Sequence, residues 1–180
     1  MKIDISSIQG AKGASLDFSV TNNRIPLVFP AAVKKYVEPV HVVGQVTNAG
    51  KFFLVQGQIQ TKLATVCDRC LEPFEYPVVL DFEVEFGQKN QVTEMVLQEK
   101  ELGSLDDIIY PYEGTVIDLS RSVEDELGVG LPVKILCSQE CKGLCSSCGQ
   151  NLNVGDCACT EESIDPRMEA LRSLLPKTIE

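Results

Sequence analysis

The sequence predicts an α+β fold that consists mainly of an antiparallel β-sheet or a partly closed barrel, with a few helices and a cysteine-rich C-terminal segment. Residues 39–86 are rich in Val, Ile, Thr and Phe, and turn residues separate the apolar runs. The eight cysteines fall into four close pairs. At 180 residues and 44% hydrophobic, the chain is long enough for one ordinary core. We expect a mainly β domain at residues 1–135 and a cysteine-rich segment at residues 136–180.

A β-hairpin is the clearest element of the sheet. Residues 40–47 and 52–60 flank Asn48 and Gly50, and both residue types tolerate the positive φ that a tight reversal demands. Alternation of apolar and polar residues continues from Ile59 to Cys67, so one long strand should carry the first cysteine pair at its tip.

Three further strands are predicted around this hairpin. Residues 78–86 alternate between apolar and largely acidic positions, and Pro73 and Pro77 bracket the start of that strand. Residues 2–5 and 15–20 are weaker candidates. The polar, acidic residues 87–103 show little periodicity and predict a mobile loop.

Two helices are predicted in the second half of the chain. The first lies near residues 119–128, with Asp118 or Ser120 as its cap and a glycine-containing end; its apolar face consists of Leu119, Val123 and Leu127. The second begins at Asp165-Pro166. Its apolar stripe is ordinarily docked on the protein body, and binding of a partner is the alternative.

Charge and hydropathy set limits on the class of protein. The chain has no apolar run of eighteen residues, and its first ten residues lack the pattern of a secretory signal, so we expect a cytoplasmic protein. The formal net charge is −10. Residues 71–131 are the acidic part, with three basic residues against fifteen acidic ones, which argues against a broad phosphate-binding surface.

The cysteine spacing is typical of metal ligands. Reducing conditions in the cytoplasm favour metal binding over disulfides, and paired thiolates are what tetrahedral zinc requires. We therefore expect two Zn²⁺ ions that stabilise the C-terminal segment, with structural disulfides, iron–sulfur chemistry and thiol redox chemistry as alternatives. The pairs are Cys67 with Cys70, Cys137 with Cys141, Cys145 with Cys148, and Cys157 with Cys159.

The division of the cysteines between two sites follows from loop length. A metal that joins the third and fourth pairs closes only a short loop, which costs less entropy than a long-range alternative. This site 2 would contain Cys145, Cys148, Cys157 and Cys159. Site 1 would then contain Cys67, Cys70, Cys137 and Cys141. An interleaved partition, with the first pair sharing a metal with Cys145 and Cys148, stays open. Four sulfur ligands leave no open position for water, so the metals would be structural.

No catalytic pattern is recognisable in the sequence. The single histidine, His41, lies in a predicted strand, and no phosphate-binding glycine loop or metal-binding histidine pair occurs. A thiol-redox protein that uses its Cys-x2-Cys motifs is the remaining alternative, although those motifs lack the βαβ context of such proteins. We therefore predict a protein that is not an enzyme.

The ordered set of motifs over roughly residues 60–175 resembles the YceD family of large ribosomal RNA subunit accumulation proteins. The resemblance implies a non-enzymatic role in the accumulation or processing of large-subunit ribosomal RNA, with a large-subunit ribosomal protein or the ribosomal RNA precursor as partner. Ser146 departs from the family, in which proline is common at this position. The matching motifs are Cys67-Asp-Arg-Cys70-Leu-Glu-Pro-Phe74, Ile117-Asp-Leu119, Leu131-Pro132, Cys137-x3-Cys141-Lys-Gly-Leu-Cys145-x2-Cys148-Gly-x-Asn-Leu-Asn153, Cys157-x-Cys159 and Asp165-Pro-Arg167.

Two charged sets are candidate binding surfaces. Acidic residues could attract a basic ribosomal protein, or merely keep the protein in solution. Basic residues near the cysteines could contact RNA phosphates, or merely neutralise the thiolates. The acidic set is Asp81, Glu83, Glu85, Asp106, Asp107, Glu124, Asp125 and Glu126, and the basic set is Lys62, Arg69, Lys134 and Lys142.

Overall fold

The computed structural model describes residues 1–23, 33–90, 92, 109–159 and 167. The described residues group into two compact units, one of residues 1–68 with 72–137, and one of residues 69–71 with those from 138 onwards. The predicted domain boundary at residues 135/136 stays a prediction. The elements, all in the first unit, are β1 (Lys2–Asp4), β2 (Ser15–Asn22), β3 (Val33–Tyr36), β4 (Val40–Asn48), β5 (Phe53–Val66), β6 (Pro73–Gln88), β7 (Ile109–Tyr112), β8 (Val116–Asp118) and α1 (Ser120–Gly130).

The main sheet has the strand order β2-β4-β5-β6-β7, and β3 also pairs with β5. Every pairing in it is antiparallel except that of β6 with β7, which is parallel. Strands β1 and β8 form a separate two-stranded ribbon. The expected antiparallel sheet is therefore confirmed, but within the described residues the sheet does not close into a barrel, because β2 and β7 lie at its two ends.

The predicted hairpin is present as β4 and β5, with Asn48 opposite Phe53. Of the two predicted turn residues, Asn48 and Gly50, only Gly50 has a positive φ, at 99°. Asn48 contributes differently: it is buried, its side-chain amide donates to the carbonyls of Ile8 and Gln9, and its side-chain oxygen accepts the Gly50 N–H at 2.7 Å. It therefore ties the turn to the N-terminal loop.

Strands β5 and β6 form a longer hairpin, whose last pair is Val66 with Pro73. Cys67 follows β5 directly, as predicted. The expectation that β6 starts after Pro77 is wrong, because β6 begins at Pro73 and continues through Pro77. Within the described residues, the other side of β6 is paired only from Glu85 onwards, so a proline without an N–H is tolerated on the side that lacks a partner strand.

A glycine pair brings β4 and β5 into close contact in the middle of the sheet. Gly44 lies opposite Gly57, and a Cβ on Gly44 would meet the Gln56 carbonyl oxygen and lie 2.8 Å from the Gly57 Cα. On β6, Phe82 lies opposite Gly57. Such closeness leaves no room for side chains, so glycine is required here by packing.

Helix α1 provides the apolar face that the sequence predicts, since Leu119, Val123 and Leu127 are all buried in the core. Its start differs from the prediction. The N-cap residue is Leu119, and no side chain caps the helix. The Asp118 carboxylate instead accepts hydrogen bonds from the Ser120 N–H and hydroxyl, at 2.9 and 2.7 Å.

Two predicted elements lie mostly outside the described residues. Of the acidic loop predicted at residues 87–103, the described residues are not loop: residues 87 and 88 belong to β6, and residues 89, 90 and 92 are helical. Residues 91 and 93–103 are outside the described part. Of the helix predicted from Asp165, only Arg167 is described, and it is assigned to a turn; the other residues lie outside the described part. In the described ranges residues 89, 90 and 92 are helical in addition to α1, and a few helices were expected. No helix there has the length and apolar character needed to cross a membrane.

Candidate metal centres

The sulfur atoms of the eight cysteines form two groups of four. Within each group, all four sulfurs lie within 4.8 Å of one another. No cysteine forms a disulfide. Group 1 consists of Cys67, Cys70, Cys137 and Cys141, and group 2 consists of Cys145, Cys148, Cys157 and Cys159.

Both groups have the donor set and the size of a tetrahedral zinc site. Zn–S bonds of about 2.3 Å in a tetrahedron place the sulfurs about 3.8 Å apart, within the 4.8 Å limit of each group. The grouping follows the sequential partition and not the interleaved one. Three sulfurs of group 1 belong to buried residues, whereas group 2 has two exposed and two half-buried cysteines. Two groups of four cysteines that could hold metal ions are therefore present.

The first Cys-x2-Cys turn lies at the tip of the β5–β6 hairpin. The Cys67 N–H donates to the Glu72 carbonyl at 2.9 Å, which closes the turn. Leu71, directly after Cys70, has a φ of 62°. The left-handed region is unfavourable for leucine, and this side chain is 62% exposed, so the turn geometry and not burial holds it there.

The second Cys-x2-Cys turn has the same plan. The Gly149 N–H donates to the Cys145 carbonyl at 2.9 Å, and the Cys145 N–H donates to the Gln150 carbonyl at 2.8 Å. Gly149, directly after Cys148, has a φ of 74°. Both turns therefore end on a left-handed residue directly after their second cysteine.

The electrostatics of group 2 favour a bound cation. The backbone N–H groups of Cys148 and Ser147 point at the Cys145 sulfur and lower its pKa to about 6. The neighbouring Cys148 sulfur and burial raise the pKa of Cys159 to about 12. The Cys145 thiolate is thus stabilised by the backbone, and a positive ion beside Cys159 would favour ionisation of its thiol as well.

Asn153 lies near the cysteine sulfurs, although its residue type gives no indication of this in the sequence. Its side-chain amide donates to the Cys141 sulfur at 3.3 Å. In the sequence it is part of the family motif but lies between the cysteines of group 2. A sequence pattern alone gives no sign that it contacts a sulfur of group 1.

The four basic candidates differ in their surroundings. The Lys62 ammonium lies 2.6 Å from a Glu38 oxygen and 3.7 Å from a Glu75 oxygen, and the Glu38 hydrogen bond and charge raise its pKa. Its partners are thus carboxylates. The Arg69 guanidinium donates to the Cys141 carbonyl at 3.0 Å. Lys134 and Lys142 are exposed.

The acidic candidates on β6 lie on one exposed side of the sheet, which we name the acidic sheet face. Glutamines of β5 hold two of its carboxylates: Gln58 donates to Asp81 at 2.8 Å, and Gln56 donates to Glu83. A surface groove of about 370 Å³ is lined by Gln56, Asp81 and Glu83 together with Gly57 and Phe82. The acidic sheet face consists of Asp17, Gln45, Gln56, Gln58, Asp81, Glu83 and Glu85.

The acidic candidates on α1 lie on the other side of β6. Gly130 of α1 is in contact with Leu80, whose side chain points away from the acidic sheet face. On α1, Asp125 accepts a hydrogen bond from the Tyr110 hydroxyl at 2.9 Å. Glu124 and Glu126 are half-buried. The two acidic sets therefore form separate surfaces; Asp106 and Asp107 lie outside the described residues.

The single histidine stands in a strand, as predicted. The His41 side chain is half-buried on β4, and its Nδ1 lies 2.9 Å from the Thr21 hydroxyl on the neighbouring strand. A cross-strand hydrogen bond of this kind is an ordinary structural contact.

Comparison with known proteins assigns the chain to a family. The profile described as "Large ribosomal RNA subunit accumulation protein YceD" matches residues 55–175. The chain belongs to the YceD family. The match covers both cysteine groups, and it confirms the resemblance drawn from the motifs. No solved structure matches the chain.

Relatives of this YceD family member occur in plants and bacteria. A protein of Arabidopsis thaliana described as a chloroplastic large ribosomal RNA subunit accumulation protein YCED homolog is 28% identical over 154 residues, covering 74% of this chain and 48% of the relative. A homolog of the same description from Zea mays is 24% identical over 152 residues, covering 70% and 50%. A protein of Mycobacterium tuberculosis, described as uncharacterized, is 29% identical over 131 residues, covering 73% and 59%. The chain spans about half the length of the curated relatives it matches.

Proposed function

We propose that this chain is a non-enzymatic factor in the accumulation or processing of large-subunit ribosomal RNA, and that it acts by binding a component of the large subunit. The family description and the names of the plant relatives support the biological role. The acidic sheet face is the observation that carries the binding role. A cytoplasmic location stays a prediction.

The acidic sheet face supports a basic protein as the partner. Three of its four carboxylates accept hydrogen bonds from neighbouring glutamines, so less side-chain entropy is lost when a partner binds. Carboxylates arrayed over the strands of the sheet attract Lys and Arg side chains from a distance and accelerate the encounter. A basic large-subunit ribosomal protein has this chemistry.

Direct binding of ribosomal RNA is the second candidate, and Lys134 and Lys142 are the residues that favour it. Both are exposed and lie close in sequence to cysteines of the two groups. Lys62 and Arg69 are already engaged with carboxylates and with a carbonyl, so we expect them to contribute less to phosphate binding.

We also propose that groups 1 and 2 each hold one Zn²⁺ ion in a structural role. Four sulfurs within 4.8 Å of one another suit a tetrahedral metal site better than the isolated pair of a thiol-redox protein. When four sulfurs bind the ion, no position remains for water or substrate. The metals would then order the cysteine-rich chain and not catalyse a reaction.

The partner proposal is tested by the capture of purified large-subunit ribosomal proteins on the immobilised full chain at low and high salt. Asp81→Asn with Glu83→Gln removes two charges from the acidic sheet face and keeps the oxygen acceptors; Glu140→Gln with Asp156→Asn removes two charges elsewhere. We expect the first pair, and not the second, to weaken capture at low salt by about tenfold, since charge pairs contribute mainly there. Equal capture by both variants would exclude the acidic sheet face as the surface that binds the ribosomal protein.

The RNA candidate needs a separate measurement. Binding of a large-subunit ribosomal RNA fragment by the wild type and by Lys134→Gln with Lys142→Gln is compared over a range of salt concentrations. If RNA is bound directly, the double variant binds more weakly and its affinity depends less steeply on salt, because it neutralises fewer phosphates. Unchanged RNA affinity would exclude a role of these two lysines in RNA binding.

Metal analysis of protein purified under reducing conditions tests the zinc proposal. We expect two zinc ions per chain, one after Cys70→Ser with Cys141→Ser, and one after Cys148→Ser with Cys159→Ser. Protein that contains no metal and exchanges disulfides would favour the thiol-redox alternative instead.

A further inference from the structure

Asn153 connects the two cysteine groups through its side chain. In the sequence it lies between Cys148 and Cys157 of group 2, but its Nδ2 donates to the Sγ of Cys141, a member of group 1, at 3.3 Å. The contact therefore links the chain segment enclosed by group 2 to a sulfur of group 1.

Neighbouring groups fix the orientation of this amide. The Asn153 Oδ1 accepts the Lys142 backbone N–H at 2.8 Å. The Asn151 Oδ1 accepts both the Asn153 backbone N–H and one Nδ2 hydrogen, at 3.0 and 2.9 Å. With the oxygen facing an N–H donor, the amide NH₂ must face the Cys141 sulfur, which acts as an acceptor.

The position of Asn153 depends on the turn formed by group 2. The turn is closed by two hydrogen bonds, from the Gly149 N–H to the Cys145 carbonyl and from the Cys145 N–H to the Gln150 carbonyl. The Gln150 side chain donates to the carbonyls of Gly155 and Asp156 at 3.4 and 3.3 Å. Leu144 pairs with Asn151, and the Leu152 N–H donates to the Gly143 carbonyl at 2.9 Å. The segment that carries Asn153 is thus held against residues 142–144.

We propose that Asn153 is a positioning residue that couples the two centres: closure of group 2 holds Asn153 on the Cys141 sulfur, and this hydrogen bond retains the metal in group 1. An N–H donor stabilises a thiolate ligand, because a hydrogen bond to an ionised acceptor is stronger than one to a neutral acceptor. Loss of such a partner outside the ligand set typically weakens metal binding about 10- to 100-fold. The coupling rests on the proposal that both groups bind metal.

Release of Co²⁺ from the loaded full chain tests the coupling. Cobalt reports thiolate coordination through its absorption bands, and an excess of chelator gives the release rates. Cys70→Ser with Cys141→Ser removes group 1, so the release phase that this variant lacks belongs to group 1. We expect Asn153→Ala to accelerate that phase about tenfold and to leave the group 2 phase unchanged.

A matched control and a double-mutant cycle complete the experiment. Val154→Ala removes an exposed neighbour in the same segment and should leave both phases unchanged. In the variant without group 2, release from group 1 should already be fast, and Asn153→Ala should add little. Equal rates for Asn153→Ala and Val154→Ala, or full additivity with the loss of group 2, would overturn the coupling.

The same samples separate this proposal from the one on which it rests. Cobalt bound at two equivalents with an unchanged group 1 phase in Asn153→Ala contradicts only the coupling. A wild-type chain that takes up no cobalt or zinc contradicts metal binding itself and the coupling with it.

Discussion

Asp68 makes two hydrogen bonds with Ile135, a residue 67 positions later in the chain. The Asp68 carboxylate accepts the Ile135 N–H at 2.6 Å, and the Asp68 N–H donates to the Ile135 carbonyl at 2.9 Å. Ile135 is 2% exposed, so its backbone groups have little access to water. Asp68 thereby fixes the segment that leads to Cys137 beside the end of β5.

Replacing Asp68 by alanine should destabilise the protein by about 2 kcal/mol, because a hydrogen bond to a charged acceptor is lost and the Ile135 N–H is left without it. Asp68→Asn, which keeps an oxygen acceptor but not the charge, should cost less. Chemical denaturation of the metal-loaded chain measures both. Glu140→Ala, an exposed carboxylate, is the control; a loss as large as that of Asp68→Ala would contradict the explanation.

At position 71 the protein with glycine should be more stable than the protein with alanine by about 1 kcal/mol. Within a regular helix or strand the order is the reverse. Any residue with a Cβ is unfavourable at a φ of 62°, whereas glycine is not. The comparison of Leu71→Gly with Leu71→Ala removes the same exposed side chain and isolates the Cβ. Thermal unfolding at saturating zinc gives the difference, and alanine equal to or more stable than glycine would refute it.

Gly44→Ala should destabilise the sheet by about 3 kcal/mol, since its Cβ would meet the backbone of Gln56 and Gly57 on the next strand. Gly10→Ala is the matched control, because nothing lies within 4 Å of a Cβ at that position. Unfolding in urea should show a reduced midpoint for the first variant alone. A Gly44→Ala protein with normal stability would mean that the strands can separate without cost.

Tyr110→Phe should lower stability at neutral pH by about 1 kcal/mol, and this difference should shrink as the pH rises above about 10. Burial and the hydrogen bond to Asp125 raise the pKa of Tyr110 to about 12, above its ordinary value of 10.0. The folded protein therefore holds this proton more tightly than the unfolded chain does. The stabilisation is complete below about pH 10 and is lost as the pH rises towards about 12.

The free energy of unfolding of the wild type and of Tyr110→Phe, measured between about pH 8 and pH 11.5, checks this linkage. The two curves should converge as the pH rises above about 10. A constant difference over the whole range would show that the lost hydroxyl acts through packing alone.

Local patterns in the sequence were sufficient to predict much of the sheet. Alternation and turn residues predict β4 and β5, and the delivery of Cys67 to a strand tip, because both depend on neighbours in the chain. The role of Asn48 was predicted incorrectly, since its partners Ile8 and Gln9 are distant in sequence. Loop-closure entropy predicts the grouping of the cysteines that the structure shows.

The hydrogen bonds around the candidate metal centres were harder to predict. Asn153 and Asp68 act through hydrogen bonds to residues that no periodicity relates to them. The acidic residues looked like one stretch in the sequence, but the alternation of β6 and the position of α1 divide them between two sides of the sheet.

The left-handed residue after each Cys-x2-Cys turn has a consequence for finding such centres in genome sequences. Gly149 fits the familiar Cys-x2-Cys-Gly signature, whereas Leu71 adopts the same backbone conformation without being glycine. A search that demands the glycine would detect the turn at Cys145 and overlook the one at Cys67. The number of metal ions assigned to a chain of this kind would then be one too few.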